Sequence, residues 1–147
     1  MTEPRPQVDD AMELEAATIV AAKIGNGATP ESIAEHYQYL MDGYELAKRL
    51  DRYEGWDTTR EEMESLDEMG YLVSSALSKA EKEWFERTNP QPPLEVGTVI
   101  RLRDGIGAIT GIYKYGPAKY LVKPDGQDDA TSGQRRIIIN FEDAKAA

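Results

Sequence analysis

The sequence predicts an α+β fold: an N-terminal helical hairpin or three-helix unit followed by a small antiparallel β-barrel. Three observations predict it. Up to Thr88, apolar side chains recur at helical spacing between cap and stop signals. Beyond Pro93, short β-branched runs alternate with glycine and proline breakers. Between these stretches, Asn89-Pro90-Gln91-Pro92-Pro93 marks a change of charge. Residues 1–95 carry 21 Asp and Glu against 9 Lys and Arg, a net of −12, whereas residues 96–147 carry 6 against 8, a net of +2. The expected organisation is a flexible tail over 1–9, an acidic helical domain over 10–88, a Pro-rich linker over 89–95, a small barrel over 96–142 and a tail over 143–147.

The helical elements follow from local chemistry. A helix is predicted from Asp9 or Asp10, with acidic residues in its first turn, where the helix dipole favours them. Met12, Ala16, Ile19, Val20 and Ile24 form its apolar stripe, and Gly25-Asn26-Gly27 ends it. Thr29-Pro30-Glu31 restarts the chain with a hydroxyl cap and proline at the first helical position. One helix is then expected to run to about Gly55, with Ile33, Tyr37, Leu40, Met41, Tyr44, Ala47 and Leu50 on one face. Gly43 inside it marks close approach by a neighbouring helix. Thr58-Thr59-Arg60-Glu61 reads as a capping box with Thr58 as cap. A third helix follows, its stripe running from Met63 through Leu66, Met69, Val73 and Leu77 to Trp84. It spans some 28 residues, about 42 Å.

Composition excludes several function classes. With no cysteine, disulfides and thiolate chemistry are absent, which fits a reducing cytoplasm, the expected location. Met1-Thr2-Glu3-Pro4-Arg5-Pro6 lacks the features of a signal peptide, and no apolar run is long enough to span a membrane. The net charge of −10 disfavours wrapping the whole chain on a nucleic-acid backbone and suits a basic protein partner.

The carboxylates Glu61, Glu62, Glu64, Asp67 and Glu68 cluster at the start of the third helix and are the candidate partner-binding face. A solvated, dipole-stabilised first turn explains them equally well. His36 is the sole histidine. A carboxylate-bridged metal centre in a bundle requires Glu-x-x-His on two helices, and this chain has neither the spacing nor a second histidine. No catalytic residue, metal site or cofactor is therefore predicted, and no enzyme activity.

In the C-terminal part, strands are expected at Thr98–Arg103, Ala108–Tyr115, Lys119–Lys123 and Arg135–Phe141, with turns at Asp104–Gly107, Gly116-Pro117 and Pro124–Gly126. Gln127–Gly133 reads as a loop. Gly107 and Gly111 suit bulges or bends. Arg101 and Arg103 share one face of the first strand while Ile100 and Leu102 share the other. With Lys114, Lys119 and Tyr120 they form a candidate nucleic-acid-binding set, Tyr113, Tyr115 and Tyr120 being able either to stack on bases or to cap the core. In Ile137-Ile138-Ile139 one isoleucine must point outward.

The run Gly97-Thr98-Val99-Ile100-Arg101-Leu102-Arg103-Asp104-Gly105-Ile106-Gly107-Ala108-Ile109-Thr110-Gly111-Ile112 resembles the opening of SH3-like barrels of the KOW and Tudor kind. There a glycine precedes the first strand, a glycine-bearing turn follows, and a further glycine leads an alternating strand. Thr98 stands where those domains usually have an acidic residue. The resemblance covers about a third of the chain. It implies binding to RNA, DNA or protein tails, or a plain adaptor role.

The function expected from these features is a non-enzymatic acidic adaptor or inhibitor that binds a protein surface. A phage or mobile element is the expected source and a nucleic-acid-handling complex the expected target. Two alternatives stand beside it. One is a nucleic-acid-binding protein using the basic barrel face. The other is a structural subunit of a particle or secretion machine, self-associating as a homo-oligomer through the third helix and Ile138.

Overall fold

Side-chain caps set where the first four helices begin. In the computed structural model, which describes residues 3–125 and 136–147, the Asp9 carboxylate accepts from the Met12 amide at 2.9 Å and opens α1 (Asp10–Ile24). Gly25, at φ 67°, ends it. Thr29 caps α2 (Pro30–His36), and Pro30 occupies its first turn. Asp42 caps α3 (Gly43–Glu54) through the Glu45 amide at 2.8 Å, and Gly55 closes that helix in the left-handed region. A capping box opens α4 (Arg60–Leu66), and α5 (Glu68–Thr88) follows after the single residue Asp67.

Three expectations change here. The second helix is two helices, because Asp42 is a better cap than interior residue and Gly43 must lie against another backbone. A Cβ at Gly43 would stand 2.5 Å from the Met63 carbonyl oxygen and 2.6 Å from the Asp67 nitrogen, so the expected close approach is real. The third helix is interrupted at Asp67, whose carboxylate accepts from the Gly43 amide at 2.8 Å. The capping box uses Thr59 and Glu62, not Thr58 and Glu61, with both reciprocal bonds at 3.2 Å. Thr58 is engaged elsewhere: its hydroxyl donates to Asp51 at 2.6 Å.

The chain divides into two units, residues 3–83 and 84–147. In the first, α1 packs on α2 and α4, and α3 packs on α2 and α4. Its core holds Val20, Ile33, Tyr37, Leu46, Leu50, Leu66, Met69 and Val73, with the small residues Ala16, Ala17 and Ala21 letting α1 approach closely. The predicted stripes hold in part. Ile19, Leu40 and Tyr44 are exposed, whereas Ala17, Ala21 and Leu46 take buried positions. The N-terminal tail is docked on this unit. Val8 packs on the core, and Arg5 pairs with Glu81 at 3.3 Å, both side chains largely shielded from solvent.

The second unit is a four-stranded antiparallel sheet curled into a half-barrel, so the chain is α+β. Its strands, β1 (Val99–Leu102), β2 (Gly105–Ile112), β3 (Lys119–Pro124) and β4 (Ile137–Asn140), pair in chain order. Ladder register shifts between Ile109 and Gly111, placing a bulge where glycine tolerates it. At Gly107 a Cβ would meet the Lys123 carbonyl oxygen at 2.8 Å, so only glycine fits the sheet there. Gly126, the Gln127–Gly133 loop and Arg135 lie outside the described residues.

A 3-10 turn (Phe141–Asp143) leads from β4 to the C-terminal residues, which are paired and not a loose tail. Ala146 bridges antiparallel to Ile100, and the Arg101 amide donates to the Lys145 carbonyl at 2.9 Å. The chain thereby returns from β4 to β1. Tyr120, Ile100, Ile109, Val122 and Phe141 form this unit's core together with Trp84 from the last turns of α5. Leu94, at the end of the Pro-rich stretch, packs against the same core.

Candidate functional site

The segment Tyr37–Asp42 joins α2 to α3, and both of its ends are fixed. At one end Tyr37 turns its ring into the helical core. At the other, Asp42 caps α3 and Gly43 is pinned by Asp67. Between them the Met41 amide closes a turn on the Gln38 carbonyl at 2.9 Å, and the Tyr39 hydroxyl lies 3.1 Å from Ser74 Oγ on α5. At the tip stands Leu40, which adopts φ 72° and is 79% exposed. A bulky aliphatic residue in the left-handed region is costly, and the surrounding contacts must hold it there.

Other exposed apolar side chains accompany it on the same unit. Tyr44, the second residue of α3, is 57% exposed, with Lys48 Nζ 5.2 Å from its ring centre. Tyr71, one turn before Ser74 on α5, is 75% exposed. A loop tip carrying leucine, flanked by tyrosines on a net-acidic scaffold, has the composition of a protein-docking surface. Sequence reasoning placed Leu40 and Tyr44 on the buried stripe and missed this. The pair Asp42-Gly43, a cap residue before a glycine, was the one local hint of a new helix start, and the continuing apolar spacing masked it.

The five acidic residues divide differently. Glu62 belongs to the capping box, Asp67 accepts from Gly43, and Glu68 takes the Lys23 ammonium at 2.7 Å. Glu64 stands 3.7 Å from Arg60, an exposed contact worth little. Only Glu61 has no partner among the described residues. Glu62 and Asp67 thus serve the helical unit itself, and Glu68 is paired on its surface.

The basic set in the second unit is also redistributed. Arg101 is exposed on β1, opposite buried Ile100, and Arg103 is exposed in the turn just after the strand. They line a groove of about 430 Å³ with Ile137, Ile138 and Asn140 of β4 and Asp143. Two isoleucines and not one are exposed, Ile137 at 37% and Ile138 at 46%, while Ile139 packs on the core. Lys114 follows the end of β2, and Lys119 is the first residue of β3. Lys114 Nζ sits 5.1 Å from the Tyr115 ring centre, and the Lys119 stem packs beside Gly116. Lys119 stands opposite Asn140, a residue of the Arg101 groove, whereas Lys114 lies in the turn after β2.

Tyr120 leaves the set. Its side chain is fully buried against Phe141, ring centres 4.6 Å apart. Its hydroxyl accepts from the Leu94 amide at 2.8 Å and donates to the Leu94 carbonyl at 3.2 Å. A ring so enclosed cannot stack on a base. It caps the core, the other role its sequence position allowed.

His36, at the end of α2, is half-buried. Its ring lies parallel to Tyr53 at 5.6 Å, and Nε2 is 2.9 Å from Glu54 Oε1. No described helix is long and apolar enough to cross a membrane. Comparison with known proteins adds no relative: no family model, curated protein or solved structure matches the chain.

Proposed function

We propose that this chain is a non-enzymatic binding protein whose helical unit docks on another protein through the Tyr37–Asp42 loop. The observation that carries this reading is Leu40, held at φ 72° with 79% of its surface in water. Both the strain and the exposed apolar surface cost stability, and a partner pocket that receives the leucine would recover the second cost. Tyr39, Tyr44 and Tyr71 supply the amphipathic surround that such interfaces use. The acidic balance of residues 1–95 favours a partner with a basic rim around an apolar pocket, and steers its approach. An adaptor or an inhibitor would each act this way.

The test is affinity capture by the intact chain, repeated after nuclease treatment and with Leu40→Asn. Asparagine tolerates a left-handed backbone, so the variant removes the apolar side chain and keeps the loop. A nuclease-resistant partner that is lost with Leu40→Asn supports the reading. A partner lost to nuclease, or retained by the variant, refutes it.

A second reading rests on the groove between β1 and β4. Return of the C-terminal residues to β1 through a 3-10 turn supports an SH3-like barrel, and Arg101 and Arg103 at the groove rim suit a polyanion. That reading requires binding of single-stranded nucleic acid that falls steeply with salt. Salt-independent binding, or none, removes it.

A further inference from the structure

We propose that Glu35, His36 and Glu54 form a binding site for one divalent transition-metal ion of the Zn²⁺ class. The ligating atoms of all three residues lie within 4.8 Å of one another. This convergence is a product of the fold, since Glu54 stands 18 residues from His36 at the far end of α3 and neighbouring residues on a helix point in different directions.

The distance between His36 and Glu54 suits a metal, and Glu35, within 4.8 Å of both, needs only a small side-chain movement to join them. Zinc binds imidazole nitrogen and carboxylate oxygen at about 2.1 Å, so donors at a right angle about the ion stand about 3.0 Å apart, and tetrahedral ones about 3.4 Å. His36 Nε2 and Glu54 Oε1 are 2.9 Å apart, and an ion between them would replace the shared proton. The imidazole is held by stacking on Tyr53, which limits its rotation before an ion arrives. All three donors sit at helix C-terminal ends, where the backbone carbonyls carry partial negative charge and favour a cation.

Two guanidinium groups face the cluster, and both are engaged in ways that leave the donors open. Arg49 donates to the His36 carbonyl oxygen at 3.1 Å, and Arg52 lies 5.3 Å from the Tyr53 ring centre. One imidazole with two carboxylates selects Zn²⁺, Co²⁺ or Ni²⁺ over Ca²⁺, which requires six to eight oxygen donors. A bound ion would tie the end of α2, where the Tyr37–Asp42 loop begins, to the far end of α3. The proposal does not depend on what that loop binds.

The probe is Zn²⁺ alone, added to the full chain after chelator treatment. Because His36 is the sole histidine, its imidazole protons give one assignable NMR signal. Calorimetry is expected to show a single 1:1 event, the imidazole signal to shift with it, and the melting temperature to rise. Glu35→Gln, at an exposed position with no hydrogen bond among the described residues, should weaken binding at least about tenfold. His36→Gln should abolish the 1:1 event. No event up to millimolar Zn²⁺, binding without an imidazole shift, or equal affinity in Glu35→Gln would each overturn the proposal. Glu35→Gln keeps the test decisive if His36→Gln disturbs the fold.

Discussion

Gly43→Ala should destabilise the helical unit by about 2–4 kcal/mol, although alanine is the better helix former. The added methyl would stand 2.5 Å from the Met63 carbonyl oxygen, 2.6 Å from the Asp67 nitrogen and 2.7 Å from the Asp67 Cβ. Two of these are backbone atoms at the junction of α4 and α5, which cannot move aside as a flexible side chain would. Overpacking of this kind costs about 1–3 kcal/mol or more. Displacing α3 also stretches the 2.8 Å bond from the Gly43 amide to the Asp67 carboxylate, worth about 1–2 kcal/mol for a charged acceptor partly open to water. Against this, alanine recovers at most about 1 kcal/mol of helix propensity, less at a first helical position. Gly70→Ala is the control, because its nearest neighbour is the Tyr37 hydroxyl at 4.0 Å. There propensity is unopposed and a gain of about 0.5–1 kcal/mol is expected. Urea unfolding followed by far-ultraviolet circular dichroism reads both. A Gly43→Ala change within about 0.5 kcal/mol of the parent would refute the close approach and the reason given for the break before α3.

Further outcomes follow from single groups. Tyr120→Phe removes both bonds to Leu94 and should cost the second unit about 1–2 kcal/mol, seen as a lower melting temperature. Tyr37→Phe should be neutral or slightly stabilising, within about 1 kcal/mol, because this buried hydroxyl has no hydrogen-bond partner among the described residues. Burial lifts the Tyr37 phenol above its ordinary value, while the Leu40 backbone, outside hydrogen-bonding geometry, acts weakly the other way. The unfolded chain therefore releases that proton first, so stability should fall as pH rises above 10, and Tyr37→Phe should reduce the fall. Burial raises the Glu13 carboxyl above its ordinary value, with Asp10 and Asp9 adding repulsion. The folded state holds that proton more tightly, so stability contributed by Glu13 declines as pH rises through and above 4.5. Glu13→Gln should raise the melting temperature at pH 7 and leave it unchanged below the carboxylate range.

Local chemistry was legible in the sequence, and long-range contact was not. Asp9, Thr29-Pro30 and Gly25 announce helix ends because a cap is satisfied within three or four residues. The four strands were visible because glycine and proline punctuate them. The break at Tyr37–Asp42 was hidden because apolar spacing continues across it, and what ends the helix is the demand of Asp67, 24 residues away, on the Gly43 amide. Leu40 was for that reason placed in the core. The acidic cluster was correct as composition, but Gly43 and Lys23 claim Asp67 and Glu68 from distant parts of the chain. His36 and Glu54 were likewise unrelated in sequence. The C-terminal tail carried no strand signal, being too short, yet Ala146 reaches β1 because the 3-10 turn Phe141–Asp143 turns the chain back.

The most direct test of the docking account is a footprint of the captured partner on the full chain by hydrogen exchange. Protection concentrated at residues 37–44 and around Tyr71, with Arg101–Arg103 unchanged, is the predicted result. Protection at Arg101–Arg103 with residues 37–44 unaltered would contradict it.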